Sequence, residues 1–299
     1  MQISRTYSRT CGRHLPRPRR SDPRTGTART RARLPVLLAL SLARPGSLAA
    51  QVYEKGIQEA DVLAESGTVA FVLAGRLWLG DLNGGPAEPL PTANGRASAP
   101  VLSPDGREVL FVHLDPTGRR MSLQRHEVAS GRTQTVYETD QRLLDFDVDF
   151  DRGEVVLSIE GQGLRQLSVD GGRLRLLTTN PSDRFPRISA DGGAVAFLRT
   201  SGDSQDIWIL NRQSDRVRRV QGSIRVQERF DWSPDGAAFV VESMDTGNLE
   251  LWTFPAGGGA ARRITDDIAM ESDPSWTRED RICYHRNRQY WCGSAAGGR

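Results

Sequence analysis

The chain has 299 residues, a formal charge of +3, 26% charged and 37% hydrophobic residues. The positive balance comes from one end. Residues 1–50 carry eleven arginines against a single acid, Asp22, so the remaining 249 residues sum to −7, which argues against a nucleic-acid surface in the folded part.

Residues 1–50 read as a leader. A basic stretch ends at Arg33, an apolar run follows from Leu34 to Ala43, and Ser47-Leu48-Ala49 or Leu48-Ala49-Ala50 supplies small residues at a cleavage point. About ten apolar residues fit a signal h-region and are too few to span a bilayer. The basic region is longer than secretion requires. That length points to a misplaced start codon or an Arg-rich transit peptide, and transit or an uncleaved disordered tail are the alternatives to export. No lipobox cysteine follows the apolar run, so lipid anchoring is not indicated.

From Ser66 onward one unit recurs. In chain order it reads SGTVAFVL from Ser66, LSPDGREVLF from Leu102, DFDRGEVVLS from Asp149, ISADGGAVAF from Ile188, WSPDGAAFVV from Trp232 and WTREDRICYH from Trp276. Gly67, Gly106, Gly153, Gly192, Gly236 and Asp280 align at spacings of 39, 47, 39, 44 and 44 residues. A period near forty residues signals a solenoid or propeller. After each turn comes an apolar strand-like run, then a second such as DIWILNR from Asp206 or LELWTFP from Leu249, then a third such as RVRRVQG from Arg216. Short segments before the turns, RFPRIS from Arg184 and SDPSWT from Ser272, add a fourth strand. Nothing sustains a 3.6-residue period. The expected fold is all-β, a six-bladed β-propeller of four-stranded antiparallel blades over residues 66–299.

The turn has a mechanical logic. Pro presets φ, Asp bonds its following backbone and Gly accepts positive φ. The third unit keeps only part of this, so its blade is expected to be irregular. Residues 51–65 form an N-terminal segment whose Ala60–Glu65 stretch could close the ring, because the last unit is one strand short.

The third unit also holds strict alternation from Leu144 to Asp151, placing Asp145, Asp147, Asp149 and Asp151 on one strand face. Asp147 and Asp149 are the candidate cation ligands. The calcium-loop pattern fails at Phe150 and Val156. Pairing with Arg184 and Arg187 of the next unit is the competing reading. His113, His126 and His285 fall on different blades, too scattered for a metal site. In the last unit, Cys283 and Cys292 face one another if the flanking strands pair around Asn287 and Arg288, close to disulfide range. Two buried thiols are the alternative.

The SPDG turn, the following AF or LF, the strands IWIL and LELW and the unit ending RRIT resemble the TolB-like propeller repeat of bacterial envelope proteins, over roughly residues 60–299. That resemblance implies partner docking at one face of the ring. Eight residues before the aligned turns lie Ser98, Asp145, Arg184, Glu228 and Ser272, which should ring the channel mouth with Arg229 and Asp273. A docking funnel and plain solvation both explain a polar mouth. Trp78, Trp208 and Trp252 recur at one place in the third strand and read as blade packing. No nucleophile elbow, zincin, P-loop or Rossmann pattern is present in the sequence.

The expected function is a non-catalytic, cofactor-free, monomeric docking propeller, periplasmic or secreted, that binds an envelope protein or peptide segment. The alternative is a hydrolase or lyase with its site in the channel.

Overall fold

The computed structural model describes residues 59–295 apart from 64–65, 82–85, 203, 267, 277–279 and 287–288. Residues 1–58, including the segment read as a leader, lie outside this range. The described strands form six antiparallel sheets arranged as propeller blades. Blade 1 contains β1 (Glu59–Leu63), β2 (Thr68–Leu73), β3 (Arg76–Asp81) and β4 (Glu88–Pro89). Blade 2 contains β5 (Arg96–Leu102), β6 (Glu108–Leu114), β7 (Met121–Glu127) and β8 (Arg132–Thr139). Blade 3 contains β9 (Leu143–Asp149), β10 (Glu154–Ile159), β11 (Gly163–Ser168) and β12 (Gly171–Leu176). Blade 4 contains β13 (Arg184–Ile188), β14 (Ala194–Ser201), β15 (Ser204–Asn211) and β16 (Arg216–Arg219). Blade 5 contains β17 (Phe230–Trp232), β18 (Ala238–Ser243), β19 (Glu250–Pro255) and β20 (Arg262–Arg263). Blade 6 has three strands among the described residues: β21 (Glu271–Trp276), β22 (Arg281–Arg286) and β23 (Gln289–Ser294).

Second strands are covered on both faces, which explains their unbroken apolar runs. Val69 to Val72, Val109 to Val112, Val195 to Leu198 and Phe239 to Val241 are all buried. Blade 3 completes its four strands, with register shifts at Ser158/Ile159 and Gln166/Ser168.

The turns between first and second strands add a partner that the Pro-Asp-Gly argument omits. Ser103, Ser189 and Ser233 donate their hydroxyls to Asp105, Asp191 and Asp235 at 2.6 Å. The same hydroxyls accept the N–H of Glu108, Ala194 and Ala238. Each serine hydroxyl therefore holds its aspartate below the ordinary carboxylate range. Gly106, Gly192 and Gly236 close these turns at φ 72°, 64° and 70°.

Two expectations need correction. Glu59–Leu63 does not complete the last blade: it is the first strand of blade 1, paired with β2 from Glu59↔Val72 to Leu63↔Thr68. The segment before Gly67 occupies the place that the segment before every other turn occupies, so it cannot also serve blade 6. His113 and His126 share blade 2 rather than lying on separate blades. They pair opposite Ser122 and Val109 and stand well apart along the strands.

First strands alternate in character around the ring. In blades 1, 3 and 5 they carry Asp61, Asp147 and Asp231, whose carboxylates accept the N–H of Leu102, Ile188 and Trp276 in the first strand of the following blade at 2.8, 2.8 and 2.9 Å. In blades 2, 4 and 6 they carry Ala99-Pro100, Phe185-Pro186 and Asp273-Pro274, and the residue before each proline has φ of 48°, 54° and 51°. A register shift accompanies each one. First strands are sheet edges, so their outward N–H groups need acceptors from elsewhere. Aspartate supplies an acceptor in one class, and proline at a bulge removes a donor in the other. The first strands approach most closely in the same three pairs, β1–β5, β9–β13 and β17–β21, among the described residues.

Candidate binding channel

A cavity of about 150 Å³ runs along the first strands of blades 3 to 6, bordered by Asp147, Asp149, Arg187, Arg229, Asp231 and Asp273. The acidic strand feeds one wall of it. Alternation turns Asp145, Asp147 and Asp149 toward blade 4, and each finds a positive or N–H partner. Asp145 is buried and pairs with Arg187 at 2.8 Å. Asp147 holds the Ile188 N–H. Asp149 pairs with Arg152 at 2.9 Å and Arg212 at 3.4 Å. Asp151 is exposed at the rim. Among the described residues no group of three His, Cys, Asp or Glu side chains could hold a metal ion.

Arg187 lies between the acids of neighbouring blades. Burial works against its charge, but Asp145, Asp147 and Asp231 outweigh that and hold the guanidinium above its ordinary range. Asp231 shows the opposite balance. Burial pushes its carboxyl up to about 6, against the lowering effects of the Trp276 N–H, Arg187 and the Trp232 N–H. Trp232 spans the same seam, donating its indole N–H to the Arg187 carbonyl at 3.0 Å.

At the mouth, the residues singled out by spacing come together only in part. Arg229 pairs with Asp273 at 3.3 Å, and both side chains are about half exposed. The guanidinium of Arg229 stands 5.8 Å from the Phe185 ring centre and that of Arg184 stands 5.6 Å from the same ring. Arg184 also bonds Gln205. Glu228 is exposed beside them. Asp145 lies deeper, committed to Arg187. Below the mouth Glu242, nine-tenths or more buried, accepts the Asp273 N–H at 2.6 Å. Burial pushes its carboxyl up to about 7, with Asp273 and Glu228 adding to the shift and the Asp273 N–H and Arg229 opposing it.

Arg187 was legible only as a salt-bridge partner, and Asp231 and Glu242 were missed. Comparing every second unit would have exposed Asp231, because Asp61, Asp147 and Asp231 recur across pairs of blades. Glu242 lies inside an apolar second strand and carries no such signal. Away from the channel, the backbone register sets Cys283 directly opposite Cys292, and Cys283 is buried and disulfide-bonded.

Comparison with known proteins places this geometry. No family model matches the chain. The Tol-Pal system protein TolB of Anaeromyxobacter dehalogenans is 28% identical over 120 residues, covering 39% of this chain and 27% of that protein. The chain thus matches about a quarter of the length of that curated relative. Among solved structures, a putative TolB from Agrobacterium tumefaciens superposes with a TM-score of 0.60 at 20% identity, over 72% of this chain and 82% of that one. An oligogalacturonate lyase in complex with manganese superposes with a TM-score of 0.65 at 15% identity, over 79% and 76%. Two different activities on one architecture leave the fold as the common property. The chain is a TolB-like six-bladed β-propeller.

Proposed function

We propose that this propeller is an exported, non-catalytic docking protein that receives a protein or peptide segment at its channel mouth. The observation that carries the reading is the half-exposed Arg229–Asp273 pair, with Arg229 over the Phe185 ring and exposed Glu228 next to it in sequence. An aromatic ring capped by arginines, with carboxylates at hand through Asp273 and Glu228, suits a peptide carrying its own mixed charges. The deeper carboxylates support the same reading, since Asp61, Asp147 and Asp231 already accept backbone N–H groups of the next blade and serve the ring. The leader and the TolB relatives favour a periplasmic or secreted location.

A channel-sited hydrolase or lyase is the second reading, favoured by the likeness to the oligogalacturonate lyase and by the acids lining the cavity. One experiment separates them. The purified chain is used to capture partners from envelope extract, with and without a divalent-metal chelator, alongside the Arg229→Glu variant. Docking predicts a stoichiometric partner that is insensitive to chelator and lost with Arg229→Glu. The same proteins retained by both forms, or a bound divalent metal with no partner, would contradict it.

A further inference from the structure

The two seams flanking blade 4 are built differently at the face bearing the first-to-second-strand turns. Between blades 3 and 4, Arg212 reaches across to Glu154 and Asp149 and donates to the Gly192 carbonyl at 2.9 Å, filling the space. Arg212 follows β15, its N–H bonded to the Gly193 carbonyl. The residue in that place on blade 5 is Ala256, which follows β19 with its N–H bonded to the Ala237 carbonyl. The counterpart of Glu154, the first residue of β10, is Ala194, the first residue of β14. The seam between blades 4 and 5 therefore has alanine at both places where its neighbour has an ion pair.

What remains is a cleft of about 630 Å³, within the range of ligand sites. Its floor is apolar, made by Ile209, Trp232 and Ala256. One wall is β16, from which exposed Arg216 and Arg218 line the cleft. Neither makes an ion pair or side-chain hydrogen bond among the described residues, whereas Arg219 of the same strand is paired with Asp206 at 2.9 Å. Asp191 and Asp235 border the inner end, each engaged by the serine and backbone N–H of its own turn. Outside the lining, Gly259 donates to the Gln221 carbonyl at 2.8 Å and Ala261 to the Ser223 hydroxyl at 3.0 Å, tying the segment after β16 to the end of blade 5.

We propose that this cleft is a second binding site, separate from the channel mouth, for an extended acidic peptide. Arginines two apart on a strand project about 6.6–6.8 Å apart on one face, the spacing of alternate side chains in an extended chain. Carboxylates at alternate positions of the peptide meet Arg216 and Arg218 with charge-assisted bonds. The intervening side chains point away from β16 toward blade 5, and are apolar where they meet Trp232 and Ala256.

The test is selection of displayed random octapeptides on the immobilised full-length chain, with selected peptides synthesised and measured by fluorescence anisotropy. The expected consensus has acidic residues two positions apart with apolar neighbours. Arg216→Glu combined with Arg218→Glu should weaken binding at least tenfold, and Ala256→Arg, which fills the cleft, should do likewise. Arg229→Glu at the mouth should leave this binding unchanged, so failure here and failure of the docking function are distinguishable. Absence of a consensus, a basic consensus, or undiminished binding to the double variant would overturn the assignment. So would free glutamate competing as well as the peptide, which would mark a simple anion site.

Discussion

Seams between blades fall into two kinds. Those joining blades 2 to 3 and 4 to 5 each bury twelve hydrophobic residues in one cluster, including Phe146 in the first and Phe230, Trp232, Phe239 and Phe254 in the second. Those joining 1 to 2, 3 to 4 and 5 to 6 have clusters of seven, five and five among the described residues. These poorer seams are the ones crossed by Asp61, Asp147 and Asp231. Where apolar area is scarce, a charge-assisted bond to an otherwise unpaired edge N–H takes its place. The ring is accordingly three aspartate-clamped pairs of blades, with broad apolar seams joining pair to pair where described.

The largest effect should come from an apolar seam. Phe239 is fully buried against Phe230, Trp232 and Phe254, so Phe239→Ala should cost about 3–5 kcal/mol in urea unfolding. A smaller cost than that of any clamp variant would break the comparison.

Next is the pH dependence of the seam between blades 5 and 6. Asp231 has its carboxyl raised to about 6, so between pH 4 and 7 the folded chain binds more protons than the unfolded one. Its contribution is fully present below pH 4 and is lost as pH rises through 6, a difference of about 3 kcal/mol for a shift of this size. Asp231→Asn, which keeps an acceptor for Trp276, should flatten that slope relative to the parent chain in melts from pH 4 to 8. Identical slopes would remove Asp231 from the account.

Smaller still is the single clamp. Asp147→Ala leaves the Ile188 N–H without its acceptor and removes one of the charges facing Arg187, a loss of about 1–3 kcal/mol. Asp147→Asn should recover much of it, measured by the same urea curves. The smallest change concerns the other class of strand. Ala99 sits at φ 48°, a region that costs an L-residue about 1–2 kcal/mol. Ala99→Gly should therefore be neutral or raise stability by up to about 1 kcal/mol, offset by the greater freedom of the unfolded chain. A clear destabilisation would mean that the alanine side chain, and not the backbone bulge, matters there.

Much of this was readable from the residues. Turn glycines spaced about forty apart gave the blade number, and the alternating aspartates of blade 3 pointed to arginine partners on blade 4. The pairwise order of the blades was hidden because alignment on the turn glycine slips by one residue: Asp61 and Asp147 stand six before their glycines and Asp231 stands five before Gly236. The clamp is a contact about forty-one to forty-five residues away in sequence, and only the ring brings its two ends together. The cleft was less visible again. It results from two alanines replacing a glutamate and an arginine at places that become equivalent only once the blades are superposed.

The most direct test of the paired-blade ring is native-state hydrogen exchange at the amides of Leu102, Ile188 and Trp276. Paired blades predict that all three are protected, and that Asp147→Ala speeds exchange at Ile188 by at least a hundredfold while Leu102 and Trp276 keep their rates. Unchanged protection at Ile188, or equal acceleration at all three amides, would contradict local clamps between alternate blades.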